Sequence, residues 1–289
     1  MKIASIQFKL KKAEGFEDFA SHVEGLVGEA KAENALFTVF PEYITLEVAT
    51  AFLPKLSFRD AMVKVAEEYH EKYVNLFLNL AKKNNMYIVG GSTLEKASPN
   101  KYYNTSFLFT PKGEIFKHRK IHPYPDIDPI LGVNAAGENL NIFQTPQGKF
   151  SILICYDSIF PELSRILRLM GVEVVFVPSA APFAEPLYWD LRICCGARAI
   201  ENQMVVVHSC LIGRVEAEKT IEFFGKSSIL YPGRFKVLAE GKMNEEMVVF
   251  AEVDLERLCR SRGKNARILK DMRPDVYRLL CEKGWSFEE

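Results

Sequence analysis

Cys155 closes an apolar run, Phe150-Ser-Ile-Leu-Ile-Cys155, and is followed by Tyr156-Asp157-Ser158-Ile159-Phe160-Pro161-Glu162. Pro161 suits the first position of a helix, so the thiol falls at a strand-to-helix corner near the positive end of a helix dipole. Such a place lowers a thiol pKa and favours the nucleophilic thiolate. The corner has the shape of a serine hydrolase's nucleophile elbow, without the flanking glycines. A thiolate nucleophile also needs a base and a group that holds developing negative charge. Glu42 follows the apolar run Leu36 to Phe40 and Pro41, and Lys120 closes Lys117-His-Arg-Lys120 just before a long loop. Both therefore emerge at strand ends. Brought to one edge, the three would supply nucleophile, base and cation together. Taken singly, each has a plainer reading: a core cysteine, an exposed strand-end carboxylate, a solvated basic run. No histidine can be assigned as the base from the sequence.

Other chemistries fail on inspection. There is no G-x-G-x-x-G, and Gly225-Lys226-Ser227 resembles the end of a phosphate loop whose first glycine position holds Thr220. His70-Glu71 lacks the second histidine of a zinc-protease helix, no C-x-x-C pair occurs, and Cys194-Cys195 has the wrong spacing for a metal knuckle. G-x-S-x-G is absent. The histidines at 22, 70, 118, 122 and 208 are scattered, which favours surface or satisfied core places over ligation. No metal site is expected.

The elements that must position these residues follow from periodicity. Lys2 to Phe8 reads as a strand, and Phe16 to Ala32 as a helix with Phe16, Phe19, Val23, Leu26, Val27 and Ala30 on one face. Leu36 to Phe40 is a second strand, Phe58 to Lys83 one long amphipathic helix, and Tyr87 to Gly90 a third strand. Ser106 to Thr110 and Ile115 to His118 flank Pro111-Lys112-Gly113 as a hairpin. Residues 119–141 form a Pro-, Asp-, Asn- and Gly-rich loop, and a loop so long in a compact domain is usually functional. Phe150 to Ile154, Val172 to Val177, Gln203 to Ser209, Lys226 to Tyr231 and Met247 to Val253 read as later strands, with helices at Pro161 to Met170 and Trp189 to Asn202. Strands partly parallel and partly hairpin-linked, alternating with helices, predict an α/β (α+β) fold of layered sheets covered by helices.

The 289 residues are 48% hydrophobic, enough for one large core, and Lys+Arg 37 balances Asp+Glu 37. That balance argues against nucleic acid as a partner. The apolar runs are too short to span a bilayer and the N-terminus lacks the pattern of a signal peptide, so no membrane role and a cytoplasmic location are expected. The six cysteines, at 155, 194, 195, 210, 259 and 281, then read as thiols in a reducing compartment.

Three segments together resemble the nitrilase superfamily of carbon–nitrogen hydrolases: Phe40-Pro41-Glu42, Arg119-Lys120-Ile121-His122-Pro123 and Cys155 through Glu162. Their order matches that family's Glu-Lys-Cys triad. The likeness continues through Gly137-Glu138, Val177-Pro178-Ser179, Ala197 to Gln203, Gly225 to Ser228 and Arg273-Pro274-Asp275-Val276-Tyr277, and so covers nearly the whole chain.

The resemblance implies a four-layer α-β-β-α sandwich in one domain over residues 1–289, with 280–289 as a tail, pairing into homodimers or larger oligomers. Cys155 would attack a small amide or nitrile and form a thioester, and Glu42 would shuttle the proton. Lys120 and the backbone N–H of Tyr156 would hold the oxyanion. Glu138 would stand as the family's second glutamate, orienting Lys120 or substrate. No cofactor is needed. Family members of the omega-amidase type carry Arg where this chain has Ile159, so a substrate neutral or apolar at that position is expected. Tyr43, Tyr188 and Trp189 are candidates for the pocket wall. Amide hydrolysis is preferred over nitrile or N-carbamoyl hydrolysis. A glutaminase half of a synthetase lacks its second domain, and an inactive scaffold on the same fold is the alternative of another class.

Overall fold

The computed structural model describes residues 1–282 except 183–184, 218, 233–234 and 266. In chain order it runs β1 (Lys2–Lys9), α1 (Phe16–Ala32), β2 (Phe37–Val39), α2 (Leu46–Ala49), α3 (Phe58–Glu68), α4 (His70–Asn84), β3 (Tyr87–Ser98), β4 (Lys101–Phe109) and β5 (Ile115–Arg119). It continues with β6 (Ile142–Thr145), β7 (Gly148–Ile152), a 3-10 turn (Cys155–Ile159), α5 (Pro161–Leu169), β8 (Val174–Ser179), β9 (Ala181–Pro182) and α6 (Glu185–Asn202). Then come β10 (Val205–Glu216), β11 (Thr220–Phe224), β12 (Ser228–Tyr231), β13 (Lys236–Glu240), β14 (Met247–Glu252) and α7 (Leu255–Asn265). Short helices α8 (Arg267–Lys270), α9 (Pro274–Tyr277) and α10 (Leu279–Glu282) follow. The expected tail from 280 thus begins inside α10, and 283–289 lie outside the described residues.

The strands are ordered β5-β4-β3-β2-β1-β10-β8-β7-β6, with β1, β2 and β3 parallel to one another and β10, β8 and β7 likewise parallel. β1 meets β10 only at Phe8–Leu211 and Lys9–Ile212, so the strand set folds over there into two facing sheets. Side chains from both halves share one core. Phe37 of the first lies 4.6 Å from Phe150 and 5.6 Å from Phe176 of the second, ring centre to ring centre. On the outer face of the first sheet, α1, α3 and α4 bury Phe19, Val23, Met62, Val65 and Phe77 against Ile6, Phe8, Ile88 and Phe109. On the other outer face Leu167 of α5 and Cys195 and Ala199 of α6 cover Val175, Val177 and Val206. These are the four layers α-β-β-α. Full burial of each large apolar side chain contributes about 1.5–3 kcal/mol, so the helix stripes are the main reason the layers close.

Several expectations change: β4 starts at Lys101 and β10 runs on to Glu216, both longer than expected. Phe58 to Lys83 is two helices, not one: the chain bends at Tyr69 (φ −119°, ψ −1°), while Tyr69 still donates to Val65 O and accepts from Tyr73 N. The apolar spacing Met62, Val65, Tyr69, Tyr73, Phe77 passes through the bend unbroken, so periodicity carries no sign of it. β3 does not stop at Gly90 but continues to Ser98 in a long hairpin with β4, its ladder shifting register between Val89 and Ser92. The Gly90-Gly91 pair that marks this bulge imitates a strand end. β6, β9, β11 and β13 were not foreseen, being short or polar.

Ser209 Oγ donates to the carbonyls of Ile6 (2.6 Å) and Val39 (3.0 Å), fixing β10, β1 and β2 at the same level. β2, β5, β7 and β8 all end toward that edge. In parallel sheets this carboxyl edge is where a crevice forms.

Candidate active site

Four chain segments meet there. Glu42 and Tyr43 follow β2, Lys120 follows β5, the Cys155 turn follows β7, and Ala180 follows β8. Cys155 has φ +47° and Tyr43 φ +53°, left-handed values that a side chain tolerates poorly and that persist only where surroundings impose them. The positive φ swings Cys155 off the line of β7 into the crevice.

Glu42, Lys120 and Cys155 are 2%, 2% and 7% exposed. Glu42 Oε1 accepts from Lys120 Nζ at 2.8 Å and from Asn104 Nδ2 at 2.9 Å, while Oε2 accepts from Ala180 N at 2.9 Å. Glu42, Cys155 and Ala180 line the same cavity, so the carboxylate and the thiol face one small space. The second partner of Lys120 is Asp128, fully buried, with Oδ2 2.8 Å from Nζ. Asp128 in turn accepts from the Tyr43 hydroxyl, the Tyr124 N–H and, at 3.1 Å, Asn104 Nδ2. Asn104 thus ties both carboxylates, and its backbone carbonyl accepts from the Lys120 backbone N–H at 2.9 Å.

Burial pushes the Glu42 carboxyl above the usual range; Asp128 adds to this and Lys120 opposes it. Burial alone would lower Lys120, but Asp128 and Glu42 hold it as an ammonium, well above its ordinary value. Burial, reinforced by Glu42, drives the Cys155 thiol well above its ordinary range against the pull of Lys120. Against the expectation of a thiol depressed by a helix dipole, α5 starts only at Pro161, beyond the 3-10 turn that Cys155 opens, and burial dominates.

The crevice is a small cavity of about 20 Å³, lined by Glu42, Tyr43, Lys120, Tyr124, Ile127, Asp128, Cys155, Tyr156, Ile159, Ala180 and Leu191. That is room for about one water. Residues 2–262 match the carbon–nitrogen hydrolase family.

The chain belongs to the carbon–nitrogen hydrolase family.

Its relatives agree. It is 37% identical over 290 residues to a probable hydrolase, YhcX, of Bacillus subtilis (strain 168), covering 98% of this chain and 56% of that protein, so it spans little more than half of that relative. It is 30% identical over 285 residues to the omega-amidase NIT2 of Danio rerio, covering 96% of each. Saccharomyces cerevisiae Nit3, a member of branch 10 of the nitrilase superfamily, superposes with a TM-score of 0.75 at 26% identity over 92% of this chain and 94% of that one. The protein is a nitrilase-superfamily hydrolase of non-peptide carbon–nitrogen bonds with the nitrilase fold.

In this carbon–nitrogen hydrolase the cavity brings together Glu42, Lys120, Cys155, Tyr43, Tyr156 and Ile159. Three other expected residues lie elsewhere. Glu138 is exposed and lines a separate surface cleft with Lys101, Tyr103, Lys117 and Arg119. Its neighbour Gly137 donates to Lys120 O at 2.7 Å, and a Cβ there would lie 2.3 Å from Arg119 O. The backbone is pinned inward and the next side chain turns out. The second carboxylate is Asp128 instead. Tyr188 is buried away from the cavity, donating to Lys226 O at 2.8 Å and stacked with His208, and Trp189 is 40% exposed. α6 begins earlier than expected, at Glu185, and presents Leu191 to the cavity. The signal for Asp128 was the loop 119–141 itself, where Asp126-Ile127-Asp128 lies between Pro125 and Pro129.

Proposed function

We propose that the protein hydrolyses small neutral carboxamides through a thioester on Cys155. Glu42 takes the thiol proton as sulfur attacks the carbonyl carbon. Lys120 has three N–H donors; two serve Glu42 and Asp128, and the third, with the Tyr156 N–H, receives the oxyanion. Such donors in a dry site are each worth about 3–4 kcal/mol of barrier. The C–N bond then breaks, and Glu42 hands its proton to the departing ammonia. Water enters, Glu42 takes a proton from it, and hydrolysis of the thioester frees the acid and restores the thiol. The observation that carries this reading is one buried carboxylate, hydrogen-bonded to the ammonium, that lines the same small cavity as the thiol.

Among the described lining residues Lys120 is the cation, and two carboxylates already hold it, while Ile159, Ile127 and Leu191 are apolar. A carboxylate tail on the substrate would find no partner, and the small cavity favours a short acyl group. The omega-amidase relatives thus point to the reaction rather than to the substrate. The test is ammonia release from short aliphatic amides, dicarboxylic amides, nitriles and N-carbamoyl compounds, with Cys155→Ala as control. Release from the neutral amides that the control lacks is expected. A clear preference for dicarboxylic amides or nitriles, or release by the control, overturns the reading.

The same reading takes a second copy as partner and the cytoplasm as location. Ile166 and Leu169 on α5, Met170 just after it, and Ile193 and Ile200 on α6 are exposed large apolar side chains on two helices that pack on each other, and exposed apolar patches mark interfaces. All six cysteines are thiols with no disulfide, as in a reducing compartment. Light scattering should find a dimer that Ile193→Glu splits.

A further inference from the structure

Lys120 and Cys155 come from different sheets, and their catalytic geometry requires that the two backbones stay in register. One side chain touches both. Asp157 is fully buried inside the turn that begins at Cys155. Its Oδ2 accepts from Ile154 N at 3.2 Å, the peptide just before Cys155, and from Ile121 N at 3.3 Å, the peptide just after Lys120. Its Oδ1 accepts from His122 N at 2.8 Å and lies 3.2 Å from His122 Nδ1. His118 Nε2 stands 3.6 Å from Oδ2, fully buried, at the end of β5. The contacts keep the carboxyl ionised, at a pKa of about 2, although burial opposes this.

We infer that Asp157 is a positioning residue for the hydrolytic reaction: a single carboxylate that locks the segment carrying Lys120 to the turn carrying Cys155. This rests on the catalytic reading of those two residues. The other side of the turn is braced separately. Arg198 donates from Nε to Ser158 O (2.9 Å) and from Nη2 to Ile159 O (2.6 Å), and Ser158 Oγ donates to Cys155 O (2.7 Å). Those bonds fix the turn to α6 and within itself; none of them reaches Lys120. Asp157 alone of these residues spans both segments. An amide in its place would turn an N–H₂ toward at least one backbone N–H and release that strand end. A shift of about 1 Å between reacting groups can cost about 10²-fold in rate.

The test compares wild type with Asp157→Asn in the full chain, and follows alkylation of Cys155 by iodoacetamide, resolved by mass spectrometry, across pH, beside ammonia release. With Lys120 displaced, the thiolate loses its counter-charge. Alkylation should slow about 10-fold near neutral pH and its midpoint should move up by about one unit, while kcat falls about 10²-fold and KM changes less than about threefold. A residue that only stabilised the fold would lower the folded fraction and leave the midpoint of the remainder unmoved. Should Asp157→Asn not fold, His122→Phe keeps the stacking on Phe160 (3.7 Å) and removes one contact; kcat should then fall about fivefold at unchanged KM. An unmoved alkylation midpoint in Asp157→Asn, or unchanged kcat in His122→Phe where that variant decides, overturns the inference. If wild type releases no ammonia from any amide while the midpoint still moves with Asp157→Asn, the proposed reaction fails and the positioning role stands.

Discussion

A thiol, a carboxylate and an ammonium buried together titrate together, so removing one changes what the others hold. Burial first, and then the charge of Glu42, raise the Cys155 thiol. Glu42→Gln should therefore have opposite effects on two readouts. Ammonia release should fall about 10²–10⁴-fold for want of a base, whereas alkylation of Cys155 should become faster at a given pH. Loss of both would mean that Glu42 serves only to hold the fold. The two carboxylates of the 119–141 loop give a second contrast: buried Asp128→Asn should lower kcat about 10²-fold and exposed Glu138→Gln leave it within about twofold, as initial rates on a short amide would show. Glu42 and Cys155 each follow an apolar run and Lys120 a strand with a basic end, but the three became legible together only through the order of their segments, which resembles the family's triad. Asp128 and Glu138 share a loop with no periodicity, and which carboxylate turns inward depends on backbone bonds such as Gly137 N to Lys120 O, which residue type does not encode.

Strand ends are set by what presses on them. Gly91 sits in the β3 bulge at φ +72°, and a Cβ there would lie 2.2 Å from Pro41 O, the carbonyl just before Glu42. Ser92 N donates to that same oxygen at 3.1 Å, and the Tyr73 hydroxyl to Gly90 O at 2.9 Å. The bulge is the floor on which Glu42 stands. Gly91→Ala should cost about 2 kcal/mol or more through strain and overpacking, and should lower kcat in the protein that remains folded, because Pro41 must move. Urea midpoints and rates per folded molecule would measure both, and a stability loss with unchanged kcat would separate the bulge from the site. At this scale the sequence misleads in a consistent way. Paired glycines read as a stop where the strand is only re-aimed, and an unbroken apolar row hides the bend at Tyr69, since both alter backbone direction without altering which residues are buried.

The layers themselves followed from alternation and helical spacing, because those patterns record which face is buried. What they do not record is how distant segments are fastened. His22 of α1 is the clearest case. Its Nδ1 lies 2.8 Å from Glu47 Oε1 in α2 and its Nε2 2.7 Å from Glu246 Oε1 just ahead of β14, with Lys11 Nζ 2.8 Å away after β1. Burial favours the neutral ring, but the hydrogen bonds and charges of Glu246 and Glu47 outweigh it and raise His22 from 6.5 to about 9. The folded pKa exceeds the unfolded one, so the imidazolium contributes stability that is fully present below about pH 6.5 and is lost as pH rises through about 9. Other groups titrate in the same range, so the wild-type curve alone decides little; the difference from His22→Gln isolates this one. Calorimetric midpoints should show the variant less stable at pH 6, with the gap closing toward pH 10. Parallel curves across that range would mean that the charge on His22 does not couple folding to pH, and that the three segments are held by packing such as the 4.3 Å stacking of His22 on Phe8.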